Sequence, residues 1–486
     1  MRRSRLVVVG VVLALAAAGC GSRTTRAQKL EALGAGRNGG ASAGNENLGG
    51  DVGPGGSTDN GAAAAGPNGA TSSGGGGATA AASNGNSGGG SSPGGPKGGF
   101  SGDNGGSTDV GVTGNSITVS NVSILTGPVP GLFAGAFNGT DAYFQYINSQ
   151  GGVYGRQLKA LPRDDQFDCG QNKTLTESDI PKVFAFVGSF SLYDNCGAAV
   201  FNAHQEVPDI HNALSIDAAH EPNNFSPQPL RTGAPTGPFD YFKAKQPGAI
   251  SKAGSLVGDV QSAKDSWVGI KGTMQKEGYN FVYDQLYSPT QTDFTADIVS
   301  MRSAGVQTLV LVAADVKGIA RIAQQAQQQN WHPQLTILGA SAYDPQLIPL
   351  AGGDALEGMH IYLPTAMYLG EDRGSNPEVN LFLTWLKKTH PSANPDLFTV
   401  YGWTSARLFV QALQAAGPQA KRATLLAALK NIHQFDSNGI LGPGDPAGKG
   451  PDKCYVIVDI KGGKFVRASD SASGYRCDGV YNFVQQ

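Results

Sequence analysis

The sequence predicts an α/β protein whose folded part forms two doubly wound Rossmann-like lobes. Three observations support this fold class. A strand-helix-strand pattern spans residues 117–165, the same alternation restarts after residue 233, and the region 112–486 is longer than one hydrophobic core usually organises. Each lobe is therefore expected to be a mostly parallel sheet covered by helices.

The first strand-helix-strand unit is the clearest. Apolar and β-branched residues predict a strand at 117–124, which a glycine-proline turn ends. Side chains then recur at i, i+4, i+7 and i+11, the stripe of an amphipathic helix, at Ala136, Thr140, Tyr143 and Ile147. A glycine pair ends the helix, and a second strand is predicted at 158–161. The crossover between these parallel strands should be right-handed.

Later segments repeat the alternation. Short strands are predicted at 184–188 and 207–210, before the restart. The second half then gives strands at 254–258, 282–286, 308–312 and 335–338, and helices at 264–277, around 319–326 and around 406–413. Residues 455–466 contain a glycine pair between two apolar runs, which predicts a closing hairpin.

Residues 1–20 predict a secretory signal peptide, with a basic start, an apolar core and small residues before Cys20. The pattern resembles a bacterial lipobox, so Cys20 is predicted to carry lipid; the alternative is a chance cysteine after an ordinary signal. Residues 21–111 are rich in Gly, Ala, Ser and Asn, which predicts a disordered tether. The protein is therefore predicted to be exported and lipid-anchored on the outer face of the bacterial cytoplasmic membrane.

Charge and motif content argue against several classes of protein. The formal net charge is -2 and no basic cluster is present, which argues against a nucleic-acid partner. The motifs GxSxG, HExxH and GxxxxGK[ST] are absent, and the seven histidines are scattered along the chain. The sequence therefore predicts no enzymatic activity, no cofactor and no metal site.

Four cysteines follow Cys20, and an even number in an exported protein predicts two disulfides. Three connectivities are possible. We favour the pairing of neighbours, which joins Cys169 to Cys196 and Cys454 to Cys477. The competing interpretation is a metal site, but no CxxC or HxxxH spacing is present.

Between residues 117 and 165 the motifs TGPxxxL, IN, GGVYGR and DD occur in that order. This stretch resembles the amino-terminal signature of the leucine/isoleucine/valine-binding family of type I periplasmic binding proteins, the solute receptors of ABC importers. The resemblance implies the type I periplasmic binding fold, with three crossover segments between the lobes, and a disulfide where Cys169 and Cys196 lie. The implied crossovers are 231–235, 361–365 and 440–444, with lobe one at 112–232 and 365–440 and lobe two at 233–364 and 441–486.

The resemblance also implies ligand-binding groups at the strand ends of lobe one. Two loops of the family usually read GxxSS and SxxAT, and their hydroxyl and main-chain groups hold a ligand carboxylate. Ser191 matches the first serine of one loop, Leu192 stands where the second would be, and Ala213 and Ser215 match the other loop. Turn chemistry is the alternative role for the serines. The residues predicted for this half of the site are Phe133, Ser191, Tyr193, Ala213 and Ser215.

Lobe two departs from the family pattern. Asp315 stands where relatives often have an aromatic residue, and it either holds an ammonium group or caps the following helix. Ser341 stands where relatives place an acidic residue, and Tyr343 is predicted to supply an aromatic wall. These departures leave the class of solute open.

The predicted function is that of an extracytoplasmic solute-binding lipoprotein of an ABC importer. A small polar solute, an amino acid or an amino-acid-like molecule, is expected to bind between the lobes and close the hinge, and the closed form then docks on a membrane permease. Two alternatives stay open. They are a lipid-tethered ligand sensor for a membrane kinase and a surface structural protein with a vestigial cleft.

Overall fold

The computed structural model describes residues 100–129, 131–312, 315–468 and 474–484. The predicted signal peptide, the lipidation at Cys20 and residues 21–99 of the predicted tether lie outside these residues. Within the described ranges, no helix is both long enough and apolar enough to cross a membrane.

Four parallel strands form the first sheet. They are β1 Ser116–Ser123, β2 Gln157–Asp164, β3 Phe186–Val187 and β4 Asp209–Ile210. The helices that follow them in turn are α1 Ala134–Asn148, α2 Cys169–Asp179, α3 Asp194–Ala203 and α4 Ile216–His220. The strand order is β2-β1-β3-β4, so the chain leaves β1 first to one side and then to the other. This is a doubly wound lobe with its switch point between β1 and β3.

The second sheet has seven strands and belongs to the second lobe. They are β6 Ala253–Gly258, β7 Phe281–Tyr287, β8 Thr308–Val312, β9 Leu335–Leu338, β10 His360–Leu363, β11 Val456–Lys461 and β12 Lys464–Arg467. Its helices are α5 Gly237–Lys245, α6 Gln261–Lys276, α7 Thr295–Ser303, α8 Val316–Gln328, α9 Leu347–Ala351 and α10 Gly353–Leu356. The order is β12-β11-β10-β9-β8-β6-β7, in which β6 to β10 are parallel and β11 and β12 form a hairpin. Its switch point lies between β6 and β8.

The chain passes between the lobes three times. It leaves the first lobe through β5 Gly233–Pro235, which pairs with β13 Tyr481–Phe483. It returns after β10 and crosses again before β11, and Thr365 and Leu441 form an antiparallel bridge between these two passages. The predicted fold class, two doubly wound lobes joined by three crossover segments, is therefore confirmed.

Three helices return to the first lobe: α11 Pro377–Thr389, α12 Leu397–Ala416 and α13 Arg422–Leu429. α12 packs directly on α1. A Cβ atom at Gly139 would overlap the Thr399 carbonyl, and one at Gly402 would overlap the Ala136 carbonyl, so only glycine allows this backbone approach. The packing brings the start of α12 beside the start of α1, at the edge of the sheet where β1 ends.

Residues 100–111 are bound to the first lobe, although their composition placed them in the predicted tether. The Arg156 guanidinium donates hydrogen bonds to the carbonyls of Asn104 and Gly106, and the Arg422 amide donates to Asp109 at 2.7 Å. The folded part therefore begins before residue 112. The composition rule missed this because it counts apolar burial and takes no account of hydrogen bonds made by the backbone.

Both disulfides have the neighbour pairing that the sequence favoured. Cys169 is joined to Cys196 and Cys454 to Cys477. The first bridge ties the start of α2 to α3, and the second ties the start of β11 to the chain before β13. The strands predicted at 308–312 and 335–338 are β8 and β9, and the predicted closing hairpin is β11 with β12.

Candidate functional site: a cleft between the lobes

A cavity of about 390 Å³ lies between the two lobes. Its walls come from the segments that follow β1, β3 and β4 in the first lobe and from those that follow β6, β7, β8 and β9 in the second. This is the crevice beyond the carboxyl ends of the strands where doubly wound sheets bind ligands. The volume is in the range of small-molecule sites.

Aromatic side chains form the wall contributed by the first lobe. The ring of Phe133 lies 4.7 Å from that of Phe190 and 4.5 Å from that of Phe398, measured between centroids. Phe190 also stacks on Tyr401 at 5.6 Å. Apolar residues dominate the opposite wall as well, among them Val260, Ile270, Val310, Val312, Ile337 and Leu350. The cavity therefore favours a solute with a largely apolar body.

Three of the predicted site residues line this cavity: Phe133, Asp315 and Ser341. Asp315 faces it from the start of α8, where its carboxylate accepts hydrogen bonds from the amides of Lys317 at 2.9 Å and Gly318 at 3.1 Å. The carboxylate thus caps the helix, the alternative role that the sequence left open, while remaining at the wall of the cavity.

The two serines predicted for lobe one, Ser191 and Ser215, lie outside the cavity wall, and their hydroxyl groups are bonded elsewhere. The Ser191 hydroxyl donates to Asp165 and accepts from the Tyr193 amide at 3.0 Å. The Ser215 hydroxyl accepts from the Ala218 amide at 3.2 Å and caps α4. Neither hydroxyl is directed at the space between the lobes.

The other three predicted residues are also absent from the cavity wall. The ring of Tyr193 packs edge-on against Phe167 at 5.4 Å. Ala213 is buried in a small apolar cluster beside α4. Tyr343 is fully buried, and its hydroxyl donates to Glu371. A binding role for these three residues stays a prediction that their placement does not support.

The comparisons with known proteins agree with this architecture. A family model described as "Periplasmic binding protein" matches residues 116–464 of the 486-residue chain. This chain belongs to the periplasmic binding protein family. No curated protein matches the sequence.

Several solved structures share the fold of this periplasmic binding protein. A fatty acid ABC transporter substrate-binding protein from Thermomonospora curvata is 18% identical, with a TM-score of 0.64 over 76% of this chain and 95% of that one. A branched-chain amino acid ABC transporter protein from Thermus thermophilus with bound valine is 18% identical, with a TM-score of 0.63 over 75% and 97%. A solute-binding protein of an ABC transporter from R. palustris in complex with benzoate is 18% identical, with a TM-score of 0.59 over 76% and 98%.

In this periplasmic binding protein, the backbone amides at the start of α4 donate hydrogen bonds to carboxylates of the protein itself. The Asp194 carboxylate accepts from the amides of Leu214 at 2.6 Å and Ser215 at 3.2 Å. The Asp265 carboxylate, on α6 of the second lobe, accepts from the Ile216 amide at 3.1 Å. The resemblance assigned main-chain groups of this loop to a ligand carboxylate. The hydrogen bond from the Ile216 amide to Asp265 also joins the two lobes directly.

Asp194 belongs to a buried cluster of ionisable side chains with His211 and Asp209. The His211 Nδ1 lies 2.8 Å from Asp209, and its Nε2 lies 3.9 Å from Asp194. Burial alone lowers the pKa of His211, but the carboxylates of Asp209 and Asp194 outweigh it and raise the pKa to about 10. His211 is therefore a cation at neutral pH, and its positive charge lies close to the Asp194 carboxylate that accepts from the two amides.

Sequence reasoning missed other polar residues that line the cavity, among them Asp344, Asp396 and Ser262. Asp344 follows β9 and is 6% exposed, and burial raises its pKa. Asp396 precedes α12, and desolvation raises its pKa to about 7, with a further contribution from the charge of Asp344. Ser262, at the start of α6, is 4% exposed, and its hydroxyl has no hydrogen-bond partner among the described residues.

A signal for one of these residues was present in the sequence. Asp396 stands one residue before a long helix with an apolar stripe, the pattern of an N-cap, and α12 begins there with a complete capping box. Placing that N-cap at the cleft required the packing of α12 on α1, which local patterns do not report. Among the described residues no group of three or more His, Cys, Asp or Glu side chains is placed to hold a metal ion.

Proposed function

We propose that this chain is the extracytoplasmic solute receptor of an ABC importer and that it binds one small solute in the cleft between its lobes. The observation that carries the proposal is the cavity itself. It has the volume of a small-molecule site, its walls come from both lobes, and few polar groups interrupt its apolar lining. Membership of the periplasmic binding protein family supports the same function.

The mechanism in this proposal is a hinged clamp. The solute touches Phe133 and Phe190 on the first lobe and Val260 and Val312 on the second, so it stabilises the closed state by the contacts that the open state lacks. Contacts between the lobes add to this without any solute, such as the hydrogen bond from the Ile216 amide to Asp265. The closed form is then the one that docks on the permease.

The solute in this proposal has an apolar body of amino-acid size. The sequence predicted a small polar, amino-acid-like solute. The aromatic wall of the cavity favours a solute with a larger apolar part. Solved structures of the same fold are described with valine, with benzoate or as a fatty acid ABC transporter protein, and these names support a solute with an apolar body.

The proposal also includes a lipid anchor on Cys20 and a flexible tether that holds the receptor near its permease. Its support is the sequence before residue 100: a signal-like start, a lipobox-like cysteine and a long Gly-rich segment. Mass spectrometry of the membrane fraction tests this part. A diacylated amino-terminal peptide beginning at Cys20 is expected, and a soluble protein that retains an unmodified cysteine would contradict it.

A thermal-shift screen tests the receptor function. Residues 21–486 are melted with branched-chain and aromatic amino acids, the corresponding amines and carboxylates, sugars and polyamines. A true solute at about 100 times its dissociation constant should stabilise the folded state by about 2.7 kcal/mol, a shift of a few degrees. Absence of any shift in a protein that melts cooperatively would contradict the proposal.

Two phenylalanine variants locate the binding site. Phe190 and Phe201 are both buried in the first lobe, at 3% and 7% exposure, but only Phe190 lines the cavity. Replacing either with alanine should cost about 3 to 5 kcal/mol of stability. Phe190→Ala should also abolish the shift caused by the solute, whereas Phe201→Ala should preserve it. Uptake of labelled solute by cells with and without the gene then separates import from sensing.

A further inference from the structure

In the first lobe, the loop that follows β4 has its main-chain amides already bonded, so it does not offer them to a ligand carboxylate. The amides of Leu214, Ser215 and Ile216 already donate to Asp194 and Asp265. The Ser215 hydroxyl is engaged in capping α4. The protein's own carboxylates thus fill this position, and an incoming carboxylate would have to displace one of them.

The charges that line the cavity also disfavour a solute that bears a carboxylate. Among the described residues of its wall are three carboxylates, Asp315, Asp344 and Asp396, and one basic residue, Lys317. Lys317 is exposed and stands two residues from Asp315. An anionic solute would therefore enter an apolar space with an excess of negative charge, where water screens repulsion poorly.

Asp344 and Asp396 face the cavity from opposite lobes. The Asp344 carboxylate accepts a hydrogen bond from the Gln346 amide at 2.7 Å, and the Asp396 carboxylate accepts one from the Thr399 amide at 2.7 Å. The Asp344 side chain is buried and that of Asp396 is partly buried, so a cation close to them would offset part of the cost of desolvating these carboxylates.

A third polar group in the cavity is the Ser262 hydroxyl. The Ser262 hydroxyl is buried and has no hydrogen-bond partner among the described residues, although the side chain lines the cavity. Buried hydroxyls in folded proteins are usually bonded, and an orphan at a ligand cavity is explained when the ligand supplies the missing partner. An ammonium group can donate to a hydroxyl and to two carboxylates.

We infer that the cleft selects a solute with an apolar body and a positively charged, amine-type head, held by Asp344 and Asp396, and that it discriminates against solutes bearing a carboxylate. This inference rests on the proposed receptor function and narrows its substrate class. Because the two carboxylates belong to different lobes, the ammonium head would contact both only when the lobes are together. The head therefore contributes to closure as well as to selectivity.

Matched solutes with the same body and different charge test this inference. Two series are suitable: phenethylamine, hydrocinnamate and phenylalanine, and isopentylamine, isocaproate and leucine. Affinities for residues 21–486 are measured by calorimetry at pH 8, with thermal shift as a second readout. In at least one series the amine should bind at least about tenfold more tightly than the carboxylate and the zwitterion.

Asparagine variants identify the groups that hold the head. Asp344→Asn and Asp396→Asn keep an acceptor oxygen for Gln346 and Thr399 but remove the charge, so folding should be preserved. Each should weaken amine binding at least about tenfold. Asp168→Asn is the matched control, since Asp168 caps α2 in the same manner and lies outside the cavity wall.

The outcomes separate the inference from the function on which it rests. If a carboxylate or an amino acid binds more tightly than its amine in both series, the inference is overturned and the receptor function stands. If amine binding is unchanged in both asparagine variants, the assignment of the head group to Asp344 and Asp396 is overturned. If no solute of any charge stabilises the folded protein, the receptor function itself fails. Melting of each variant without solute shows that it is folded.

Discussion

The buried carboxyl group of Glu221 should destabilise the folded protein at neutral pH, and one substitution can test this. The residue is 1% exposed, and neither of its carboxylate oxygens has a hydrogen-bond partner among the described residues. Burial, reinforced by the charge of Asp209, raises its pKa from the usual 4.5 to about 10. At pH 7 the group is therefore protonated in the folded protein and ionised in the unfolded chain. Glu221→Gln keeps the shape and the neutral state of the folded group.

The magnitude follows from the difference between the two pKa values. A carboxyl group with a raised folded pKa destabilises the protein only above its unfolded pKa, and the cost grows with pH until the folded pKa is reached. One pH unit corresponds to about 1.4 kcal/mol, so the cost is roughly 0.8 kcal/mol at pH 5 and roughly 3 kcal/mol at pH 7. Any folded pKa well above 7 gives the same cost at pH 7.

Urea denaturation at pH 5, 6 and 7 measures this cost. Glu221→Gln should raise the free energy of unfolding by roughly 3 kcal/mol at pH 7 and by roughly 0.8 kcal/mol at pH 5. Glu177→Gln is the control, because Glu177 is exposed on α2 and its replacement should change stability by less than about 0.5 kcal/mol. If Glu221→Gln destabilises the protein at pH 7, Glu221 is ionised in the fold and the reasoning is refuted.

Three further predictions concern the disulfide, the amino-terminal segment and the contact between lobes. Replacing Cys169 and Cys196 together with serine should lower the free energy of unfolding by roughly 3 to 4 kcal/mol, given their separation of 27 residues; a loss below about 1 kcal/mol in urea denaturation would contradict the loop-closure argument. Arg156→Lys should loosen residues 100–111, because lysine cannot donate to four backbone carbonyls as the guanidinium does. Limited proteolysis should then cut this segment faster, and unchanged cleavage would refute the role. Asp265→Ala removes a hydrogen bond between the lobes, so the empty protein should open more often and show a larger radius of gyration by small-angle scattering, which an unchanged radius would disprove.

The architecture could be predicted because each element carries its own periodicity. Residues 308–312 form a continuous apolar run, and β8 is buried along its whole length. Ile319, Ile322 and Ala323 recur with helical spacing, and α8 buries all three against the core. β3 has only two residues, and its limits depend on pairing with strands that are distant in sequence, so periodicity gave an overlong strand at 184–188.

The location of the cleft could be predicted from the same topology, but the groups that face it could not. Ser215 is at the expected strand end, yet its hydroxyl turns back to cap α4. The amide of Ser215 is bonded to Asp194, 21 positions away in sequence, and that of Ile216 to Asp265, 49 positions away. A family pattern reports that a hydroxyl or an amide is present at a position. It does not report whether that group is already hydrogen-bonded to another part of the protein.

Solute binding should depend on pH through Asp396. Desolvation and the charge of Asp344 raise the pKa of Asp396 to about 7, so the group is ionised above pH 7 and increasingly protonated below it. An amine with a pKa near that of lysine, about 10, stays charged across this range and competes with the proton for the carboxylate. Its affinity should be constant above about pH 8 and should fall below pH 7 by up to about tenfold per unit.

Calorimetry with isopentylamine between pH 5.5 and pH 8.5 gives this profile directly. Asp396→Asn should bind more weakly and should lose most of the slope, whereas Asp168→Asn should reproduce the profile of the parent protein. A solute whose head is a carboxylate would bind more tightly as Asp396 becomes protonated, because a repulsive charge is removed and a hydrogen-bond donor appears. The sign of the slope therefore distinguishes a cationic from an anionic solute, and tighter binding at low pH would refute the assignment of an amine-type head to this cleft.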